Sequence, residues 1–380
     1  MNQRAGAFVK QPTGYTAFIP KPLPPDPLFK YTDEMRYLLS EADRDIARLD
    51  GFAHYLPNTD YFIAMYIKKE ALLSSQIEGT QASLEGIFEF EANLIQDNIE
   101  VKEVINYIKA MNFGIYRLSE LPMSLCLIKE MHKILIEGTR GSYKNPGEFR
   151  TSQNWIGPSG ATLNEAVFVP PPPLEVIPAM GELEKFIHTE DYMPPLVKAA
   201  FIHAQFETIH PFLDGNGRIG RLLITFYLLW RKVLAYPILY ISFYFKKYKP
   251  TYYDLLMKIR LEGDWESWII FFLKGIKETS EEAVTTAQEI IALKESFKVK
   301  LLEHKRISSY AFPLLDFIFE KPLFTIRNVS EHFKISNVAS MNLINKFESF
   351  GIITEKSTTK QRKIFFNQQF IDILARGTRD

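Results

Sequence analysis

The sequence predicts a mainly α protein: a helical bundle with one small β-hairpin, followed by a winged helix-turn-helix. Three observations predict it. Apolar residues recur at helical spacing over most of residues 32–303. One window, 141–173, breaks that period with glycines and prolines around two short strand-like pieces. From about Arg306, three helical segments precede two strand-like runs with a polar tip, the order of a winged helix.

Residues 1–30 are proline-rich (IPKPLPPDPLF) and cannot form a continuous helix. They read as an extended arm on the body, anchored by Phe18, Leu23, Leu28 and Phe29. A helical region over 31–140 follows. DEMRYLLSEADRDIARLDGF places Met35, Leu38, Leu39, Ala42, Ile46 and Leu49 on one stripe. The next helix, about 60–79, stops at Gly79, a plausible C′ residue. VKEVINYIKAMNFGIYRL and SLCLIKEMHKILIEG add two more. The core region 141–300 holds the strand-like pieces Gln153 to Ile156 and Ala166 to Val169, with GPSG between them suggesting a hairpin. Its helices then resume, the last one broken near Gly263. The winged-helix module is assigned to 306–380.

At 380 residues the chain predicts two to three domains. Hydrophobic residues are 46% and aromatics 14%, enough for sizeable cores and against global disorder. Lys plus Arg and Asp plus Glu are both 45, so overall charge points to neither nucleic acid nor membrane. The single cysteine, Cys126, excludes an intrachain disulfide, and its apolar neighbours place it in the core. The opening residues lack a signal-peptide core, and LLITFYLLW is too short for a membrane span. A soluble, cytoplasmic protein is expected.

HPFLDGNGRIGR, residues 210–221, concentrates the chemistry. Pro211 discourages helical geometry in His210 and ends the preceding helix. Phe212 is large enough to pin the turn into the core. Gly215, Asn216 and Gly217 then free the backbone at the start of a buried helix, where unpaired amides and the helix dipole make an anion site. Arg218 and Arg221, spaced i, i+3, project from one face and suggest more than one phosphate. Asp214 would repel phosphate unless a magnesium ion bridges them. His210 is the one side chain here able to take a proton near neutral pH.

The segment matches HxFx(D/E)GNGRxxR at every specified position and resembles the signature of the Fic family. The resemblance covers roughly residues 32–300 and implies a Fic-type helical bundle. It further implies transfer of AMP from ATP to a hydroxyl of a target protein. His210 would be the catalytic base and Asp214 the ligand of Mg²⁺, with Mn²⁺ an alternative. Gly215, Asn216 and Gly217 would cradle the phosphates, Arg218 and Arg221 would bind the outer ones, and Ile219 and Gly220 complete the nucleotide-binding segment. The hairpin at about 150–170 resembles the flap that clamps a target segment by strand addition. Tyr253 sits where relatives place a tyrosine near adenine, with Tyr252 an alternative.

SSQIEGT, residues 74–80, fits a second family pattern, (S/T)xxxE(G/N), through Ser74, Glu78 and Gly79. Ser74 and Glu78 share one helical face. The resemblance implies autoinhibition, with Glu78 competing for Arg221, and Ser75 close enough to touch nucleotide. Self-modification and a homodimer are further expectations. Transfer of another phosphate-containing group, or a nucleotide-sensing DNA-binding regulator without catalysis, stand as alternatives.

Residues 306–380 carry eleven Lys plus Arg against seven Asp plus Glu, with Lys356, Lys360, Arg362 and Lys363 at the wing tip. A basic wing suits phosphate contact. The recognition-helix candidate offers mainly Asn337, Ser340, Asn342, Asn345 and Lys346. DNA binding and protein docking both remain open.

Overall fold

The fold is that of a computed structural model, described for residues 4–54, 56, 59–92, 94–95, 98–158, 160–304, 308–359 and 362–379. The first elements are two antiparallel strands, β1 (Gly6–Lys10) and β2 (Thr16–Pro20), with Ala7 opposite Ile19. The expected arm is therefore a hairpin, closed by a turn in which Gly14 N–H reaches Gln11 O. Phe18 and Phe29 are buried and Leu23 partly so, but Leu28 is 54% exposed. Its neighbour Phe29 takes the site against Phe201, 5.3 Å between ring centres.

The helical body runs α1 (Asp33–Ala53), α2 (Thr59–Ile77), α3 (Leu84–Glu91), α4 (Ile99–Leu118) and α5 (Leu125–Ile136). After an irregular stretch come α6 (Pro173–His188), α7 (Pro195–Ile209), α8 (Asn216–Trp230), α9 (Ser242–Lys247), α10 (Lys249–Glu262) and α11 (Trp265–Leu302). Side chains of Thr32, Ser83, Asn98, Ser124 and Asp264 cap their helices by accepting backbone N–H groups. Gly263, at φ +70, breaks α10 from α11. α1 lies along α11, its predicted stripe buried except for half-buried Leu39.

α7 and α8 form the centre. Every residue of α7 from Leu196 to Ile209 is buried, because PLVKAAFIHAQFETI has no polar stripe to show to water. α8 packs along it and also against α4 and α5. α2 runs between α4, α8 and α9. Its buried face includes Lys69, Glu70 and Ser74.

Two expectations are corrected. The strand-like pieces around 153–169 are joined by one isolated bridge, Ile156 to Phe168, because prolines and Gly157 stop the ladder from extending. Cys126 is exposed; as the second residue of α5 it faces outward toward Glu130, while Leu127 and Ile128 take the core. The short helices α3 and α9 are too brief for a reliable period in sequence.

Beyond the body lie α12 (Ala311–Glu320), β3 (Leu323–Thr325), α13 (Ile326–Phe333) and α14 (Asn337–Ser349). They are followed by β4 (Thr354–Thr359), β5 (Arg362–Phe366) and α15 (Gln368–Leu374). The sheet order is β3-β5-β4, all antiparallel. Lys360 of the expected basic tip lies outside the described residues.

Gly114 of α4 lies where a Cβ would run into the ring of Phe226 and the sulfur of Met131. Gly114→Ala should therefore destabilise the fold by about 1–3 kcal/mol through overpacking. Equilibrium chemical denaturation measures it, and an unchanged midpoint would contradict this close helix packing.

Candidate active site

The turn between α7 and α8 is built around a strained residue. His210 caps α7 at φ 50 and ψ 58, a left-handed conformation unusual outside glycine. Its carbonyl receives Arg150 Nε at 2.9 Å and Asn154 Nδ2 at 3.3 Å. Arg150 Nη2 also donates to Pro171 O at 2.6 Å and Ile209 O at 3.3 Å. One buried guanidinium thus ties the base of the flap to the last carbonyls of α7, which helix geometry leaves without partners.

Phe212 is buried and stacked on His132, 3.7 Å between ring centres. His132 Nδ1 accepts Gly147 N–H at 2.9 Å, so its other nitrogen carries the proton and donates to Asp214 O at 3.0 Å. Asn216 closes the loop on itself: Oδ1 accepts Phe212 N–H and Nδ2 donates to Phe212 O, both at 2.8 Å. Gly215, at φ +76, occupies the N-cap position of α8 with no side-chain cap. The first amides of α8 are thus left for an external anion, with the helix dipole behind them.

The charged residues of the turn go separate ways. Asp214 Oδ2 meets Lys144 Nζ at 3.1 Å and Oδ1 meets Arg218 Nη2 at 3.5 Å. Burial works against its charge, but Arg218 and Lys144 hold the carboxyl below the usual range. Arg218 Nε and Nη1 are buried without a hydrogen-bond partner among the described residues. Arg221 is wholly buried; Nε donates to Ser74 Oγ at 2.8 Å, and Nη2 to Ser74 O at 2.9 Å and Glu78 Oε1 at 2.7 Å. Burial opposes both charges of that pair. Nevertheless Arg221, helped by Arg218, draws the Glu78 carboxyl below its ordinary value, and Glu78 raises Arg221. The two arginines therefore do not act as one forked pair: Arg218 turns to Asp214 and Arg221 to the end of α2.

A cleft of about 660 Å³ opens here, lined by Glu78, His210, Gly217, Arg221, Tyr253 and Arg260 among others. His210 Nδ1 points inward, 3.9 Å from Glu207 Oε2, and is buried, which leaves Nε2 for the cleft. Burial, then Arg260 and Arg150, push its pKa down to about 3, so the ring is neutral at ordinary pH. Arg260 lies over the Phe168 ring of the flap at 3.8 Å and donates to Glu207 O at 3.1 Å. Tyr253 borders the cleft and is partly exposed, whereas Tyr252 is buried with its hydroxyl 2.9 Å from His203 Nε2.

Three residues expected at the nucleotide, Ser75, Ile219 and Gly220, do not line this cleft. Ser75 is fully buried, its Oγ has no partner among the described residues, and it does not line the cleft, since its side of α2 faces the core. Ile219 is core. Gly220 is glycine because a Cβ would collide with the Glu207 carboxyl. Gly79, at φ +96, follows the end of α2 as expected.

Arg150, Asn154, His132, Lys144, Glu207 and Arg260 complete the site and were not singled out from sequence. His132 left one trace: a polar residue on the apolar stripe Ile128, Met131, Leu135 of its helix. For Arg150, Asn154, Lys144 and Arg260 the partners are distant in sequence, and Glu207 lies on a helix that is buried on every side.

Residues 37–116 match the Fic/DOC family N-terminal domain, and residues 122–228 match the Fic/DOC family domain that contains the turn. The chain belongs to the Fic/DOC family. Over 170 residues, 43% of this chain and 48% of the relative, it is 29% identical to a probable protein adenylyltransferase of Aquifex aeolicus. Over 205 residues it is 28% identical to the protein adenylyltransferase Fic of Drosophila persimilis, covering 53% of this chain and 36% of that protein. The chain thus spans less than half the length of these curated relatives. Its fold is similar to the crystal structure of a Fic family protein from Desulfovibrio desulfuricans G20, with a TM-score of 0.60 at 19% identity. That likeness covers 90% of this chain and 98% of the other, and at this identity it speaks for the fold alone.

Two outcomes follow from the geometry. Arg150→Lys keeps the charge but cannot span the carbonyls of Ile209, His210 and Pro171, so buried acceptors lose partners at about 1–3 kcal/mol each. Denaturant unfolding should show that loss; equal stability to the unsubstituted protein would remove the bracing role. His203, buried between Gly220 O and Tyr252, is pushed by burial down to about 3. The unfolded chain protonates it near its usual value of about 6.5, so stability is full above that pH and falls as pH drops toward 3. The loss is at most about 1.4 kcal/mol per pH unit. Thermal unfolding between pH 7 and pH 4 should show a steeper fall for the unsubstituted protein than for His203→Asn.

Proposed function

We propose that the protein is an adenylyltransferase that moves AMP from ATP to a hydroxyl of a target protein, itself included, with Glu78 restraining the reaction. One observation carries this reading: His210 and Gly217, at the start of α8 that no side chain caps, line one cleft, and the neighbouring Arg218 has buried N–H groups without a hydrogen-bond partner among the described residues. Amides, helix dipole and guanidinium together form a receptor for linked phosphates. The relatives named as adenylyltransferases point the same way.

The chemistry is a displacement at phosphorus. The target hydroxyl oxygen bonds to the α-phosphorus, the bond to the bridging α–β oxygen breaks, and pyrophosphate leaves. The hydroxyl proton passes to His210 Nε2, which is available because the ring is neutral. Amides of Gly215, Asn216 and Gly217 and the Arg218 guanidinium stabilise the phosphate charge, so catalysis is mainly positioning and electrostatics. Tyr253, which lines the cleft beside Tyr252 and is the more exposed of the two, is the residue proposed to border the base.

Magnesium, or manganese in its place, fits Asp214. No cluster of three or more His, Cys, Asp or Glu among the described residues could cage a metal, but magnesium commonly takes one carboxylate plus phosphate oxygens. The Asp214 carboxylate, 31% exposed and held ionised at the mouth of the anion site, supplies that ligand. When bound, the ion neutralises phosphate charge.

Glu78 restrains this chemistry by holding Arg221, the guanidinium an outer phosphate needs. The flap around Ile156 and Phe168 is the proposed target-binding edge. Residues 306–380 are proposed as a winged-helix module. Lys356 of its wing pairs with Glu89 of α3 at 3.2 Å, and Lys363 pairs with Glu355 at 2.7 Å. The Lys356–Glu89 pair favours docking on the helical body over DNA contact.

Incubation with ATP labelled at the α-phosphate should label the protein more strongly in Glu78→Gly than in the unsubstituted chain, by about tenfold or more if one full charged contact is regained. His210→Ala should abolish labelling. Label arriving only from the γ position would replace AMP transfer with phosphate transfer, and label from neither position would remove the enzyme reading.

A further inference from the structure

The inhibitory helix cannot swing away as a unit. Along α2, Tyr66 donates to Ala283 O at 2.7 Å, and Lys69 meets Glu282 at 3.4 Å. Glu70 accepts from Tyr107 at 3.1 Å and from Ser242 N–H at 3.1 Å. These are buried polar bonds, each costly to break without replacement. Freedom for Glu78 must therefore come from the last turn, Gln76 to Gly79. That turn is tight: Glu78 N–H reaches Ser75 O and Gly79 N–H reaches Gln76 O, both at 3.0 Å. On one side Thr80 anchors the following residue through Glu103 at 3.0 Å.

On the other side stands a segment from the opposite end of the sequence. Gln76 Nε2 donates to Thr378 O at 2.9 Å and to Ala82 O at 3.1 Å, while its Oε1 accepts Lys246 Nζ at 2.9 Å. Lys246 also reaches Gly377 O at 3.5 Å. The segment is itself held in shape. Gly377, at φ +77, lies against the Phe243 ring where no Cβ fits, and Thr378 is buried with its N–H on Ala375 O. Arg376 pairs with Glu289 of α11 at 2.6 Å, and Arg379 with Glu85 of α3 at 2.6 Å.

We propose that residues 376–379, which follow α15 of the C-terminal module, are a latch on the inhibitory turn, gripping it through Gln76 and so setting how readily Glu78 releases Arg221. This inference rests on the inhibitory reading of Glu78 given above. Gln76 lies two residues before Glu78 and does not line the cleft, so the latch acts on the inhibitor without touching nucleotide. Through this contact a movement of the C-terminal module reaches the end of α2. The device links a docking module to the catalytic turn by local loosening of one helix end.

The test compares self-modification, with α-labelled ATP, in the unsubstituted chain and in Gly377→Val, Gln76→Ala and Glu78→Gly. A β-branched side chain in place of Gly377 cannot adopt the left-handed backbone beside Phe243, so Gly377→Val displaces the segment. Gln76→Ala removes the same grip from the helix side. Both single variants should raise labelling about three- to tenfold, the shift that one or two lost net hydrogen bonds allows. Amide exchange over residues 74–80 should quicken, and neither change should add to labelling in the Glu78→Gly background. Labelling at the unsubstituted level in both Gly377→Val and Gln76→Ala, while Glu78→Gly is raised, overturns the latch and leaves the inhibitory reading intact. A rise that persists undiminished in the Glu78→Gly background also overturns it, because the segment then acts elsewhere. If Glu78→Gly itself labels no more than the unsubstituted protein, the inhibitory reading fails and the latch falls with it.

Discussion

Arg221 is a guanidinium almost wholly withdrawn from water, and a charge so placed must be held by other groups. Its partners come from one element, the end of α2, through Ser74 Oγ, Ser74 O and Glu78 Oε1. That arrangement fixes the end of α2 at the edge of the cleft. Glu78 differs from the Ser74 groups in being 39% exposed at the cleft. In the proposed function it is the partner that an incoming anion displaces, while Ser74 keeps the arginine oriented.

The turn ahead of α8 solves a related problem. Two helices buried on nearly all sides must be joined tightly, yet the start of the second must leave its amides open to an anion. Phe212 stacked on His132, Asn216 bonded back to Phe212, and Arg150 on the carbonyl of His210 hold the strained link from within. None of these braces uses the first amides of α8. The left-handed backbone at His210 is thereby over-determined by its surroundings, as strained residues at functional sites generally are.

Burial also divides the roles of the ionisable groups. His210 and His203 are kept neutral by burial, one with Nε2 open to the cleft and the other locked between Gly220 O and Tyr252. Glu207, beneath His210, is pushed up to about 7, whereas Glu78 and Asp214 stay ionised beside arginines. Similar carboxyls are therefore near-neutral in one place and ionised in another, according to burial and to the cations beside each one.

The amphipathic helices, the break at Gly263 and the whole 210–221 segment were legible in the chain because their signals are local: periodicity, a proline after histidine, glycines at a helix start. The same holds for Ser74, Glu78 and Gly79, whose spacing alone puts them on one face and at one helix end. Tertiary structure decided what these groups touch. It sent Arg218 to Asp214 and Arg221 to α2, buried Ser75, exposed Cys126 and Leu28, and reduced the expected hairpin strands to one bridge. It also brought in Arg150, His132 and Gln76, whose bonds to His210, Gly147 and Thr378 span from 15 to 302 residues. The physical reason is range. Backbone conformation is set by neighbours along the chain, whereas the bonding of a buried polar side chain is settled only by which distant segments packing brings against it.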